Sequence, residues 1–166
     1  MILEEIETRA EAILKKAGVR SLPVAVEEIA EKYQIKISRA PHKNFSGMLI
    51  RKAGRALIGI NNSEAEVRQR FTIAHELGHF FLHPNQDAFV DYRDNKNGIM
   101  RTPREKQANM FAAALLMPRK LLRKDFRAIA KNGFSDDDLH ALARRYNVSE
   151  DAIRFRLINL NVLALS

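Results

Sequence analysis

The chain has 166 residues, 46% of them hydrophobic, and carries a net charge of +8 with no cysteine. A chain of this size buries roughly 70% of its unfolded surface, enough for one core without cross-links. The lack of cysteine excludes a disulfide scaffold and a thiolate metal site and fits a reducing, cytoplasmic setting.

In chain order, residues 1–18 intersperse Glu4, Glu5, Glu7, Glu11, Lys15 and Lys16 among apolar residues. That pattern predicts an amphipathic helix and lacks the apolar core of a signal peptide. The longest wholly apolar run, 111–117, is too short to span a bilayer, so no membrane partner is expected. A second helix is expected over 26–33, then strands over 35–39, 45–52 and 55–60, with Ala53-Gly54 turning the last two into a hairpin. Ser63, three residues before Glu66, reads as a capping box for a helix that Pro84 stops. Within it Phe71, Ala74, Gly78 and Phe81 recur at three- and four-residue steps, and Ile73, Leu77 and Phe80 widen the apolar surface, so the helix is expected to be largely buried. The stretch 85–101 reads either as a flap over a cleft or as a plain connector. Thr102 and Pro103 open the next helix, which runs to Pro118. A helix to Lys131, an Asn132-Gly133 stop, and two helices opened by Ser135 and Ser149 complete the chain.

The chemistry is concentrated in His75-Glu76-Leu77-Gly78-His79. Residues four apart share a helix face, so both imidazoles can reach one cation while Glu76 stands beside its open side. This is the ligand pattern of a zinc hydrolase, expected to hold one Zn²⁺ per chain. The pentapeptide alone arises by chance in roughly one shuffled chain per hundred, so its setting must carry the assignment. A buried helix bearing two histidines and a glutamate needs polar partners or an ion.

A third ligand is required. His83 continues the spacing, but eight residues of helix place it about 12 Å from His75 along the axis. Leu82 and Asn85 stand where a metzincin has glycine and histidine, which excludes that arrangement. Asp87, Asp91 and Asp94 lie in a polar stretch where acids are ordinarily solvated. Glu105 on the following helix is the stronger candidate, although behind Thr102-Pro103 it also fits a cap of its own helix. Gly78 between the histidines suggests close approach by another backbone. Asn109, one turn after Glu105, is placed to orient a ligand. His83, Tyr92 and His140 are candidates for a second electrophile.

The segment from Arg70 through Leu82-His83, followed by 105–118, closely resembles the ImmA/IrrE family of bacterial metallopeptidases. The resemblance extends to Leu22-Pro23-Val24 with 26–33 and to 142–157, and so covers most of the chain. The spacing of 26 residues from His79 to Glu105 is family-like. The resemblance implies that His75, His79 and Glu105 match the metal ligands and Glu76 the catalytic acid/base. Relatives often carry a second acid two residues after the ligand; here that position is Gln107. It further implies proteolysis, or another inactivation, of a helix-turn-helix repressor of a prophage, mobile element or stress regulon. The compact length leaves little room for the sensor domain that some relatives append.

The expected fold class is α+β, a mostly helical zincin-like domain with a small antiparallel sheet beside the His75–His79 helix. Residues 1–166 read as one domain, with N-terminal helices and sheet over 1–62, zinc-site helices over 63–118 and C-terminal helices over 119–166. Within the last part, 139–159 has helix-turn-helix spacing, with Arg144, Arg145, Arg154 and Arg156 available for phosphates. Residues 101–166 carry 13 basic and 7 acidic side chains, net +6, against +2 for 1–100, which favours an acidic partner or nucleic acid there. DNA binding, or sequestration of a repressor without cutting, is therefore the alternative function. Against direct DNA contact, Glu150 and Asp151 occupy the start of the would-be recognition helix, where carboxylates repel phosphates.

Overall fold

The computed structural model describes residues 1–92 and 102–164. The elements are α1 (Leu3–Ala17), α2 (Val26–Lys32), β1 (Ile35–Ala40), β2 (Phe45–Lys52), β3 (Arg55–Asn61), α3 (Glu66–Leu82), β4 (Ala88–Tyr92), α4 (Pro103–Leu116), α5 (Arg119–Ile129), α6 (Asp136–Tyr146) and α7 (Glu150–Asn159). The architecture is α+β, with the four strands in one sheet of order β1-β3-β2-β4. Helix α3 is sandwiched between this sheet and α4, and its Ile73, Ala74 and Leu77 are fully buried.

The sheet is mixed. Strands β2 and β3 form the expected antiparallel hairpin, and Ala53 and Gly54 both adopt positive φ (50° and 74°), the backbone that tight hairpin turns demand. Strand β1 pairs parallel with β3, Ile35 opposite Ala56 through Ala40 opposite Asn61, because the chain crosses over before the hairpin returns. Strand β4 was not expected. It comes from residues 88–92 of the stretch read as flap or connector, and pairs antiparallel with β2 at the sheet edge. Residues 93–101 of that stretch lie outside the described residues.

The start of α3 corrects the capping expectation. Its N-cap is Ala65 without a side-chain bond. The Ser63 amide and hydroxyl instead donate to Asn61 Oδ1 at 3.1 and 2.6 Å. Buried Asn61 also donates to the carbonyls of His42 and Phe45 at 2.8 and 3.0 Å, so the local polar bonds are organised around it. At the other end, Arg51 of β2 donates to the carbonyls of His79, Phe80 and His83, at 3.2, 2.7 and 3.1 Å, and to that of Gln86. The guanidinium thereby serves the Phe80 carbonyl, which Pro84 has no N–H to bond, adds to those of His79 and His83, which also accept from the amides of His83 and Gln86, and ties α3 to the sheet.

The close approach suggested by Gly78 is present. A Cβ there would stand 3.0 Å from both the Cα and the carbonyl oxygen of Ala108, tighter than an ordinary contact, so any larger residue would have to push α4 back.

The first and last helices are joined by a buried ion pair. Glu7 (3% exposed) and Arg156 (2% exposed) bond through Nη1–Oε1 and through Nη2–Oε2 at 3.0 Å, and Arg156 Nε donates to the Met117 carbonyl at 3.1 Å. Removing one partner strands a buried charge, so Glu7→Ala is expected to cost about 3–5 kcal/mol in urea denaturation. The double replacement Glu7→Leu with Arg156→Met is expected to recover most of that loss.

Candidate metal centre

Helix α3 brings His75 and His79 to one face, and α4 brings Glu105 opposite them. His75 Nε2 and His79 Nε2 lie 3.1 Å apart. Each faces a different Glu105 oxygen, at 3.1 and 3.2 Å respectively. Donors about 2.0–2.1 Å from a tetrahedral ion stand about 3.3 Å from one another, so the three side chains fit a single divalent cation. The cap of α4 is Thr102, whose Oγ1 accepts from the Glu105 amide at 3.2 Å, while the Glu105 carboxylate is turned to the histidines and not to its own helix end.

Hydrogen bonds behind the imidazoles set their orientation. His75 Nδ1 lies 2.8 Å from Asn109 Oδ1, and with the ring proton on Nδ1 the Nε2 lone pair is left facing the centre. His79 Nδ1 lies 3.0 Å from His83 Nδ1, and His83 Nε2 lies 2.9 Å from Gln107 Oε1. Gln107 can only accept through that oxygen, so His83 donates to it from Nε2 and presents an Nδ1 lone pair to the N–H of His79. His83 is thus a relay and not a ligand. Phe89 of β4 stacks on the His79 ring with centroids 3.8 Å apart. We expect His83→Ala to weaken zinc affinity about ten- to a hundredfold in a competition titration with a chromophoric chelator, with little change in the circular dichroism spectrum.

Glu76 is fully buried, and neither carboxylate oxygen has a hydrogen-bond partner among the described residues. Burial raises its pKa to about 8, partly opposed by the charge of His75. Asp91 of β4 is also buried, and ligand atoms of His75, Glu76 and Asp91 lie within 4.8 Å of one another. Its Oδ2 pairs with Arg68 at 3.6 Å, and burial raises its pKa. Solvation was the ordinary expectation for Asp91, and the structure differs because β4 turns Phe89 and Asp91 inward on the same strand face. No sequence pattern signalled this, since apolar Phe89 and Val90 are adjacent and only pairing with β2 fixes which side of the strand faces in. Asp87 is exposed, and Asp94 lies outside the described residues. Of the electrophile candidates, His83 is engaged with His79 and Gln107, and exposed His140 pairs with Glu150 at 2.8 Å. Tyr92 stands half exposed beside Asp91 at the end of β4.

The ionisation pattern predicts how the metal-free protein responds to pH. Burial opposes protonation of His75, but the Glu105 hydrogen bond and the charges of Glu76, Asp91 and Glu105 outweigh it and raise the pKa from 6.5 to about 8. Burial likewise disfavours the Glu105 carboxylate, yet hydrogen bonds from His75 and His79 hold its pKa at about 2. His79 is lowered, chiefly by burial. The contribution of His75 is complete below pH 6.5 and lost as pH rises through about 8. Glu76 adds to the loss from about pH 4.5 upward, because the unfolded chain ionises first. Glu105 contributes above pH 4.5 and loses its share only on acidification towards about pH 2. The melting temperature of the metal-free protein is expected to fall between pH 6.5 and 8 in scanning calorimetry. Added zinc, which needs deprotonated ligands, should raise it by an increment that grows over the same interval.

Taken with the helix-over-sheet fold, a donor set of this kind defines a metallopeptidase of the HExxH type. The chain belongs to the ImmA/IrrE metallopeptidase family: residues 30–158 match the family described as the IrrE N-terminal-like domain. It is 29% identical over 136 residues to metallopeptidase ImmA of Bacillus subtilis, covering 82% of this chain and 76% of that protein. It is 33% identical over 102 residues to the radiation response metalloprotease IrrE of Deinococcus radiodurans, covering 61% of this chain but only 30% of that longer protein. A solved structure titled Mycobacterium tuberculosis transcriptional regulator shares the fold with a TM-score of 0.66 at 17% identity, over 93% of this chain and 46% of its own. No helix among the described residues is long and apolar enough to cross a membrane.

Proposed function

We propose that residues 1–166 act as one zinc-dependent endopeptidase domain in the cytoplasm, with His75, His79 and Glu105 holding the ion, Glu76 as general acid/base, and a helix-turn-helix transcriptional repressor as substrate. The observation that carries this reading is the convergence of two imidazole nitrogens and one carboxylate to within 3.1–3.2 Å of one another. When bound, the ion would acidify a coordinated water and polarise the scissile carbonyl. Glu76 accepts the proton of the attacking water and delivers it to the leaving amine nitrogen, and its buried position shields that proton from solvent. Asn109 and the His83–Gln107 pair hold the imidazoles in the tautomers that keep Nε2 free. Among the described residues β4 is an edge strand, and the inward Phe89 and Asp91 place its backbone at the centre, where an extended substrate can pair with it.

The alternative of direct DNA binding is weakened by the fate of two of its four arginines. Arg156 is spent on Glu7, and Arg145 pairs with Asp125 at 2.8 Å. The turn between α6 and α7 is bound to α3, with Arg70 Nε donating to the Asn147 carbonyl at 3.1 Å. The deciding experiment incubates a candidate helix-turn-helix repressor from the same organism with zinc-loaded and with chelator-stripped protein, then analyses fragments by mass spectrometry. Cleavage only by the loaded protein is expected. Loss of operator binding by an uncut repressor would overturn proteolysis in favour of sequestration.

A further inference from the structure

Beside the three assigned ligands stands a second group of buried donors. Glu76 of α3 and Asp91 of β4 have ligand atoms within 4.8 Å of each other and of a His75 nitrogen. Glu76 is fully buried and Asp91 is 5% exposed. Both oxygens of Glu76 and Oδ1 of Asp91 have no hydrogen-bond partner among the described residues. The remaining oxygen, Asp91 Oδ2, pairs with Arg68 at 3.6 Å, longer than a hydrogen bond. That guanidinium also serves Glu64 at 3.9 Å and Ser46 Oγ at 3.3 Å, so it is divided among three acceptors. Carboxylates taken out of water are costly unless a hydrogen bond, an opposite charge or a metal compensates them. Proton transfer at the first centre accounts for one free acid, Glu76, and leaves Asp91 unexplained.

The donors define what would compensate them. His75 has no nitrogen to spare, since Nε2 faces Glu105 and His79 while Nδ1 is held by Asn109 at 2.8 Å. The protein therefore offers two carboxylates and nothing softer. Such a set suits a dication that prefers oxygen, magnesium or manganese, held by one or two acids with water completing its shell. Asp91 lines a cavity of about 490 Å³ between α3, α4 and α7, and Phe155 on the same cavity is 63% exposed, so a small ion has a path to Asp91 from solvent.

Resting on the metal-centre reading above, we propose that Glu76 and Asp91 form a second cation site, taking a divalent ion of the magnesium or manganese class beside the zinc ligands. An ion seated there occupies the lone pairs with which Glu76 would accept a proton from water. Its occupancy therefore suppresses the acid/base role of Glu76, and its release restores it.

The test reads binding and does not depend on cleavage. Protein loaded with one zinc per chain is titrated with manganese chloride, and the unbound ion is followed by electron paramagnetic resonance while atomic absorption reports the zinc. Zinc holds the imidazole site against manganese, because the affinity order of divalent metals favours it. One further manganese per chain is expected, with the zinc retained. Asp91→Asn and Glu76→Gln each remove one of the two acids, and each should weaken manganese binding at least about tenfold while keeping one zinc. Two variants on different elements guard against a folding defect in either. Unchanged manganese affinity in either zinc-loaded variant would overturn the site, as would the absence of bound manganese in the unmodified protein at large excess. Failure of the unmodified protein to hold one zinc would instead overturn the three-ligand centre, and the peptidase reading with it.

Discussion

Glu76→Gln is expected to keep one zinc per chain and to lose proteolysis of its protein substrate by about a thousandfold or more. The amide preserves shape and burial but cannot take a proton from water. Removing a fully buried carboxylate whose oxygens have no partner among the described residues also relieves a desolvation cost. The same variant should therefore melt at an equal or higher temperature when metal-free. Greater stability combined with lost turnover is the signature of a group retained for chemistry and not for packing. Residual cleavage within tenfold of the unmodified protein, measured as fragment yield over time, would remove Glu76 from its assigned role.

Glu105→Ala is expected to have a comparably large effect by another route, with zinc affinity falling by a thousandfold or more on the order of lost ligands in structural sites. Without the carboxylate, His75 and His79 would remain 3.1 Å apart with nothing opposite to share the charge. Their affinity for protons should fall as well, so His75 in the metal-free variant is expected to titrate lower than in the parent, where Glu105 helps raise it to about 8. Nuclear magnetic resonance of the imidazole protons would follow this shift, and equilibrium dialysis the metal. Undiminished zinc binding would show that the coordinating trio was misassigned.

Much of this was legible because helical periodicity is strict. Four-residue spacing places His75 and His79 on one face whatever surrounds them, and a glycine between them announces a neighbouring backbone, here at Ala108. Glu105 could be singled out as a ligand candidate but not separated from a cap, because both roles use the first turn of α4; in the structure Thr102 supplies the cap and the Glu105 carboxylate faces the histidines. The parallel partner of β1 was hidden because register across a crossover is set by packing and not by local pattern. Strand β4 was hidden because five residues amid asparagine and aspartate look like a loop until β2 supplies hydrogen-bond partners. Ser63 has the composition of a cap, yet a buried Asn61 competes for its hydroxyl, and that contest depends on tertiary position. Asp91 and the His83–Gln107 relay were invisible for the same reason, since each is defined by what lies across from it.

The Glu7–Arg156 bond also constrains the order in which the molecule can be assembled. During synthesis from the amino end, Glu7 leaves the ribosome long before the residue that will neutralise it, separated from it by 149 positions. Closing so long a loop is slow, and none of its benefit arrives until the final helix emerges. The nascent chain can raise its sheet and its histidine-bearing helix early, but it cannot seat α7.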